Sequence, residues 1–262
     1  MTRDLLLMAT PMLDFETPAL QDLIARRGWA QLRPADKIGA AYTYVKDEVL
    51  FGYNAADTLS ASAVLADGYG QCNTKATLLM ALLRGLGVRC RLHGFTIDKG
   101  LQRGVVPEAV YWLAPRSILH SWVEVDLDGT WINLEGFIID APVLSALQGA
   151  FPGRATLCAY GVGTNHLQTP NTDWTGADTY IQRTGINNDF GVFSSPDDFY
   201  AVHQQEFRGL QETLYRLIIR HWMNRRVAAM RVGHVPTIPN SNVNLDPQFP
   251  PHDANGKAPR VP

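Results

Sequence analysis

The sequence predicts an α+β fold, and three observations carry that expectation. Helical periodicity dominates the chain up to Gly85, strand-like alternation dominates residues 88–135, and the two patterns do not interleave as they would around a parallel sheet. Thr17-Pro18, then Leu20, Leu23 and Ile24, then Arg26, Arg27 and Gly28 read as a helix with proline in its first turn, an apolar stripe and a glycine stop. Ile38, Ala41, Tyr42, Val45 and Val49 repeat that spacing after Pro34, and a short third helix is expected from Ser60 to Ala66. From Cys72 to Arg84 apolar residues occupy nearly every side, which marks a buried helix ended by Gly85 and Gly87. Val88–Thr96 and Ile118–Leu127 then alternate as strands, and Asp128-Gly129 is a hairpin signal leading into Thr130–Glu135.

Beyond residue 150 the reading is sparser. Residues 150–195 are rich in Gly, Asn, Thr and Asp and show no regular element. Ser195-Pro196-Asp197-Asp198 sets a cap, a first-turn proline and two acids at a helix start, and one long helix is expected from 196 to 230. Arg220, Arg225, Arg226 and Arg231 fall towards its negative end, where they complement the dipole on a solvated face. After Gly233 the chain turns proline-rich and is expected as an extended surface tail.

Composition excludes several classes. With 262 residues, 46% hydrophobic and 18% charged, the chain can bury a full core. Twenty-three basic against 25 acidic residues give a net charge of -2, so nucleic acid and anionic membrane surfaces are not expected partners. No window approaches the roughly 20 apolar residues of a bilayer span, and the stretch Leu5–Ala9 is too short for a secretion signal, so a cytoplasmic protein is expected. Cys72, Cys90 and Cys158 are odd in number and lack zinc-site spacing, and His93, His166, His203, His221 and His234 show no ligand spacing. No metal, cofactor or disulfide framework is expected. The run Gly161–His166 lacks the strand and helix that a phosphate cradle needs.

Cys72 stands where the loop Gly68-Tyr69-Gly70-Gln71 meets the buried helix. A helix N-terminus stabilises thiolate over thiol, Lys75 adds positive charge one turn on, and Gly68 and Gly70 allow close backbone approach to a substrate. The same features fit a core cysteine capping a tight turn, and local sequence does not choose between them. In the strand Ile118-Leu119-His120-Ser121-Trp122-Val123-Glu124-Val125, a symmetric turn at Asp128-Gly129 sets Val125 opposite Ile132 and Val123 opposite Leu134. His120 and Glu135 then share a face as diagonal neighbours, about 7 to 8 Å apart at Cα. A three-residue turn would put them on opposite faces. Thiol, imidazole and orienting carboxylate are the parts of covalent acyl chemistry.

Together, Gly68-Tyr69-Gly70-Gln71-Cys72, the helix through Leu83-Arg84-Gly85, His120-Ser121-Trp122-Val123-Glu124-Val125 and Trp131-Ile132-Asn133-Leu134-Glu135 resemble the transglutaminase-like superfamily over roughly residues 40 to 140. The resemblance implies a papain-like fold with the cysteine helix packed on an antiparallel sheet. It makes Cys72 the nucleophile, His120 the general base and acid, and Glu135 the third member. The family's usual aspartate is replaced by Glu135, so either the hydrogen-bond geometry shifts or another group such as Asn133 orients the ring. An oxyanion would meet the Cys72 amide and one further donor, for which Gln71 and Tyr69 qualify by adjacency only.

The expected organisation is a catalytic domain over 1–150, an extension over 151–232 and a tail over 233–262. The expected activity is cleavage or exchange of an amide through a Cys72 thioester, as a peptidase, amidase or acyltransferase on a peptide, protein or small amide. The alternative is a catalytically inactive interaction module whose C-terminal helix meets a partner. Cys90 and Cys158 are expected to be structural, and residues 161–195 are expected to roof the active site.

Overall fold

The computed structural model describes residues 4–205, 211–239 and 245–247. Thr17 precedes α1 (Pro18–Arg26), which buries Leu20, Leu23 and Ile24, and Gly28 leaves it in the left-handed region at φ 67°. Helix α2 (Pro34–Asp47) buries Ile38, Ala41, Tyr42 and Val45. A short strand β1 (Leu50–Phe51) leads through a loop to α3 (Ala61–Asp67), where Ser60 Oγ accepts from the Ala63 N–H. Gly68 ends α3 at φ 69°, β2 (Tyr69–Gly70) pairs in parallel with β1, and α4 (Cys72–Gly85) follows at once. Every residue of α4 from Cys72 to Arg84 is buried. An all-round apolar helix has become the centre of the molecule.

The sheet contains β3 (Cys90–Asp98), which a loop with a short α5 (Glu108–Tyr111) joins to β4 (Ser117–Leu127), and then β5 (Thr130–Leu134). Asp128 and Gly129 turn at φ 53° and 84°, and the ladder pairs Val123 with Leu134 and Val125 with Ile132, which is the register expected from a symmetric turn, here of two residues. After α6 (Ala141–Ala150), the region without sequence signals supplies three strands: β6 (Leu157–Ala159), β7 (Val162–Thr164) and β8 (Ile186–Phe193). The antiparallel sheet has the order β5-β4-β3-β8. Strand β8 was hidden because it lies at an edge, and its Asn187-Asn188-Asp189 run lacks the apolar alternation of a half-buried strand.

Alternation divides the sheet. Cys90, Leu92, Val123 and Val125 join the main core with α4, whereas Phe95, Ile97 and Trp122 form a second cluster with Leu101, Cys158 and Ile186. Helix α7 (Pro196–Val202) is capped by Ser195, whose Oγ accepts from Asp198 N at 3.1 Å. It does not continue to residue 230 as one helix. Backbone at His203 is extended, and the His203 ring stacks on Phe190 at 4.1 Å, tying the end of α7 to the sheet. Helix resumes as α8 (Gln211–Leu214), a π-helical turn (Tyr215–Ile219) and α9 (Arg220–Arg231), with Met223, Val227 and Met230 in the main core.

Arg231 is no solvated dipole partner. Its guanidinium pairs with the fully buried Asp140 at 2.7 Å and donates to Phe51 O at 2.8 Å. The expected tail falls partly outside the described residues, at 240–244 and 248–262. Its described part lies on the protein, where Pro236 O accepts from the Tyr160 hydroxyl at 2.9 Å. Among the described residues no helix is long and apolar enough to cross a membrane.

Candidate active site

Cys72 occupies the first position of α4, with Gln71 before it in extended backbone. Two hydrogen-bond systems hold that helix end. In one, Thr74 Oγ1 accepts from Gln71 N at 3.1 Å, Gln71 Oε1 accepts from Asn54 N at 2.9 Å, and Gln71 Nε2 donates to Asp57 Oδ1 at 2.9 Å. The loop 53–57 is thereby fastened to the cysteine. In the other, Asn73 Nδ2 donates to Leu119 O at 3.1 Å and Asn73 Oδ1 accepts from Ser121 Oγ at 3.0 Å. Leu119 and Ser121 flank His120, so the residue after the cysteine grips the strand on both sides of the histidine.

His120 and Glu135 are fully buried and meet at 2.7 Å between Nε2 and Oε1. The other carboxylate oxygen of Glu135 accepts the backbone N–H groups of Ile181 and Gln182, both at 2.9 Å. A carboxylate with these acceptor sites filled is fixed in place. A carboxylate accepts, so Nε2 is the nitrogen that carries the proton towards Glu135, and in the neutral ring the lone pair then lies on Nδ1, which is buried and has no hydrogen-bond partner among the described residues. Asn133 takes no part in this pair. It lies opposite Glu124 in the ladder and donates from Nδ2 to Asp178 at 3.0 Å.

The thiol departs from expectation. Burial pushes its pKa up strongly and the Asp57 carboxylate adds to this, while the backbone N–H groups of Asn73 and Ser121 pull the other way. The helix end acts in the expected direction and is outweighed. Lys75 does not assist. It is fully buried, donates to Ile138 O at 3.1 Å and Lys46 O at 3.3 Å, and burial lowers its pKa to about 7. No hydrogen bond joins Cys72 Sγ to His120 Nδ1, and catalytic hydrogen bonds of this kind often form only when substrate binds.

Gly70 also serves a different purpose from the one expected. A Cβ there would stand 2.6 Å from Thr74 Oγ1 and 2.9 Å from Lys75 Cγ, so glycine admits the first turn of α4 rather than a substrate.

Cys72 opens onto a cavity of about 420 Å³, within the size range of small-molecule sites. Its walls are mainly apolar, including Leu101, Val106, Leu119 and Met223, and its polar lining includes Asp57, Gln71, Tyr200 and Gln182. Tyr69 is not in the lining, whereas the side chain of Gln71 is already engaged by Asn54 and Asp57. Asp57, Tyr200 and Gln182 were not anticipated. Asp57 sits in an unpatterned loop, and Tyr200 and Gln182 reach the site through long-range packing that leaves no local signal. From the segment expected as a roof, Gly161 and Gln182 do line the cavity and residues 181–182 hold Glu135. Trp174 instead packs on α2, with its Nε1 donating to Ala35 O at 3.2 Å. Cys90 and Cys158 are buried free thiols, pushed up to about 11 and about 12 by burial.

A family model described as the transglutaminase-like superfamily matches residues 24–136, the span that carries α2, α4, β4 and β5. Over that span the chain is similar to the transglutaminase-like superfamily. The matched span contains Cys72, His120 and Glu135 in this order, and its cysteine helix packs on the antiparallel sheet. A solved structure from Cytophaga hutchinsonii, described as a "putative cysteine protease", overlays with a TM-score of 0.42 at 15% identity. The overlay covers 74% of this chain and 47% of that one, so the chain spans about half the length of this neighbour. No curated protein matches the sequence.

Proposed function

We propose that the protein is a cysteine-dependent acyl-transfer enzyme acting on an amide, in which Cys72 is the nucleophile, His120 the general base and acid, and Glu135 the group that orients the imidazole. The observation that carries this reading is the buried His120, held through Nε2 by Glu135 and presenting an unpartnered Nδ1, on a strand that Asn73 clamps to the first turn of the cysteine helix. A buried nitrogen without a partner costs stability and is a group kept for a proton.

Because burial and Asp57 hold the thiol protonated at rest, the proton leaves as attack begins. It passes from Sγ to His120 Nδ1 while sulfur bonds to the carbonyl carbon. The tetrahedral oxyanion meets the Cys72 amide, the first N–H of α4, which has no acceptor within the helix. Collapse expels the amine, which takes the proton from His120 and leaves a thioester on Cys72. Water or a second amine then gives its proton to His120, attacks the thioester and restores the thiol. Peptides, proteins and small amides are the substrate range.

Kinetics of ester or amide turnover by three variants test the assignment. Cys72→Ala is expected to abolish turnover, His120→Ala to lower kcat by about a thousandfold or more, and Glu135→Gln to lower it by about 10² to 10⁴ with little change in KM. Turnover that survives Cys72→Ala would refute the reading.

A further inference from the structure

The described lining of the cavity contains two carboxylates, Asp57 and Glu212, and no Lys, Arg or His. Glu212 is exposed, but Asp57 is partly buried beside the nucleophile, and burial raises its pKa. One of its oxygens accepts from Gln71 Nε2 at 2.9 Å. Such a carboxylate is costly where it stands, and it makes the neighbouring thiolate harder to form. A second observation comes from a different element. Tyr200, on α7, is 6% exposed and lines the same cavity, and its buried hydroxyl, with Ser121 beside it, makes no hydrogen bond of good geometry among the described residues. Asp57 and Cys72 both lie within electrostatic reach of that hydroxyl. Tyr53 and Tyr215 also line this end of the cavity, so aromatic rings accompany the carboxylate.

A carboxylate, a buried hydroxyl and several aromatic rings on a mainly apolar wall whose other polar groups are chiefly neutral amides are complementary to one ligand chemistry, an ammonium group on an apolar body. We propose that the Cys72 cavity selects substrates carrying an ammonium group, bound between the Asp57 carboxylate and the Tyr200 hydroxyl with its apolar part along Leu101, Val106 and Leu119. The ammonium donates to Asp57 and to the Tyr200 oxygen and stacks its charge against the tyrosines. Its arrival also neutralises the charge that opposes the Cys72 thiolate, so binding prepares the nucleophile. This inference names a substrate class for the acyl-transfer reading and rests on Cys72 as the reacting group. The ammonium could be the α-amino group of a peptide or the side chain of a lysine.

Calorimetric titration of the full-length protein at pH 7 with hexylammonium and with 1-hexanol, which is similar in shape and neutral, tests the selection without turnover. The ammonium is expected to bind about tenfold tighter or more. Asp57→Asn is expected to remove the preference and Tyr200→Phe to reduce it, with near-ultraviolet circular dichroism confirming that each variant is folded. Leucinamide and Nα-acetyl-lysine amide distinguish the two sources, since the one whose ammonium reaches Asp57 loses affinity in Asp57→Asn. Equal or undetectable binding of hexylammonium and hexanol by the wild type would overturn the proposal, as would a preference that persists in Asp57→Asn. The two readings fail separately. A thioester that forms on Cys72 without any ammonium preference would sink this inference alone, and an ammonium preference without acylation would sink the acyl-transfer reading alone.

Discussion

Cys72 carries two opposing influences, and their balance decides its chemistry at rest. The helix end and the amides of Asn73 and Ser121 favour the thiolate, but burial and the charge of Asp57 favour the thiol more. Removing Asp57 should therefore activate the sulfur even without substrate. Asp57→Asn is expected to raise the rate of iodoacetamide alkylation at Cys72, measured at pH 7 by mass spectrometry, by about threefold or more. An unchanged or slower rate would show that Asp57 does not govern the thiol. At this scale the sequence was informative about position and silent about environment. The positions of Cys72, His120 and Glu135 were readable because a helix start and a hairpin register are local properties, and the ladder pairs of β4 and β5 have the expected partners. The sign of the thiol shift was not readable, because Asp57 reaches the site through Gln71 from a loop with no pattern of its own. Glu135 owes its fixed position to the amides of residues 181 and 182, some 46 residues further along the chain.

The elements that carry the site are held together by groups outside it. On the sheet, His93 Nδ1 meets Glu124 at 2.6 Å and Nε2 meets Asp189 of β8 at 2.8 Å, so one imidazole bridges β4 and the edge strand. Burial disfavours its charge, but the hydrogen bonds from Asp189 and Glu124 outweigh burial and raise its pKa. A group with a raised folded pKa contributes stability that is fully present below its unfolded value, about 6.5, and that is lost as pH rises through the higher folded value. The difference in urea midpoint between wild type and His93→Gln is accordingly expected to be largest near pH 6 and to shrink as pH rises above 6.5. A difference that grows with pH would contradict the bridge. Glu124 moves oppositely, since its lowered pKa makes its contribution present above the unfolded value and lost only under acid.

The same scale shows why some elements escaped the sequence. Helices α1 to α4 announce themselves by periodicity, by first-turn prolines in α1 and α2 and by caps in α3 and α4. By contrast, β8 is an edge strand with a polar run, and the division between α7 and α8 depends on His203 and Phe199 packing on the sheet. At Gly94 of β3 a Cβ would stand 2.4 Å from the Phe199 ring, so a glycine in one strand decides where α7, and with it Tyr200, comes to rest.

Over the whole molecule, the C-terminal helix backs the cavity rather than standing apart from it. Asn224 accepts from Tyr53 N at 2.7 Å and donates to Tyr53 O at 3.1 Å, pairing α9 with the loop that leads to Asp57. Asp140 accepts from Phe51 N at 2.8 Å, caps α6 through Val143 N at 3.1 Å and pairs with Arg231. Removing one member of a buried pair leaves the other uncompensated, so Arg231→Ala is expected to cost about 3 kcal/mol in urea unfolding with the m-value unchanged. A loss below about 0.5 kcal/mol would mean that the pair behaves like an exposed one. The chain thus folds a helix–sheet core around one cysteine and closes the rear wall with its last described helix. Whether that cysteine carries an acyl group is most directly read by intact-mass spectrometry after mixing the protein with an activated acyl ester. A single acyl adduct is expected on the peptide containing Cys72, removed by neutral hydroxylamine as a thioester is, absent in Cys72→Ala and slowed in His120→Ala. An adduct on Cys90 or Cys158, an adduct that persists in Cys72→Ala, or none at all would contradict the assignment of Cys72 as the nucleophile.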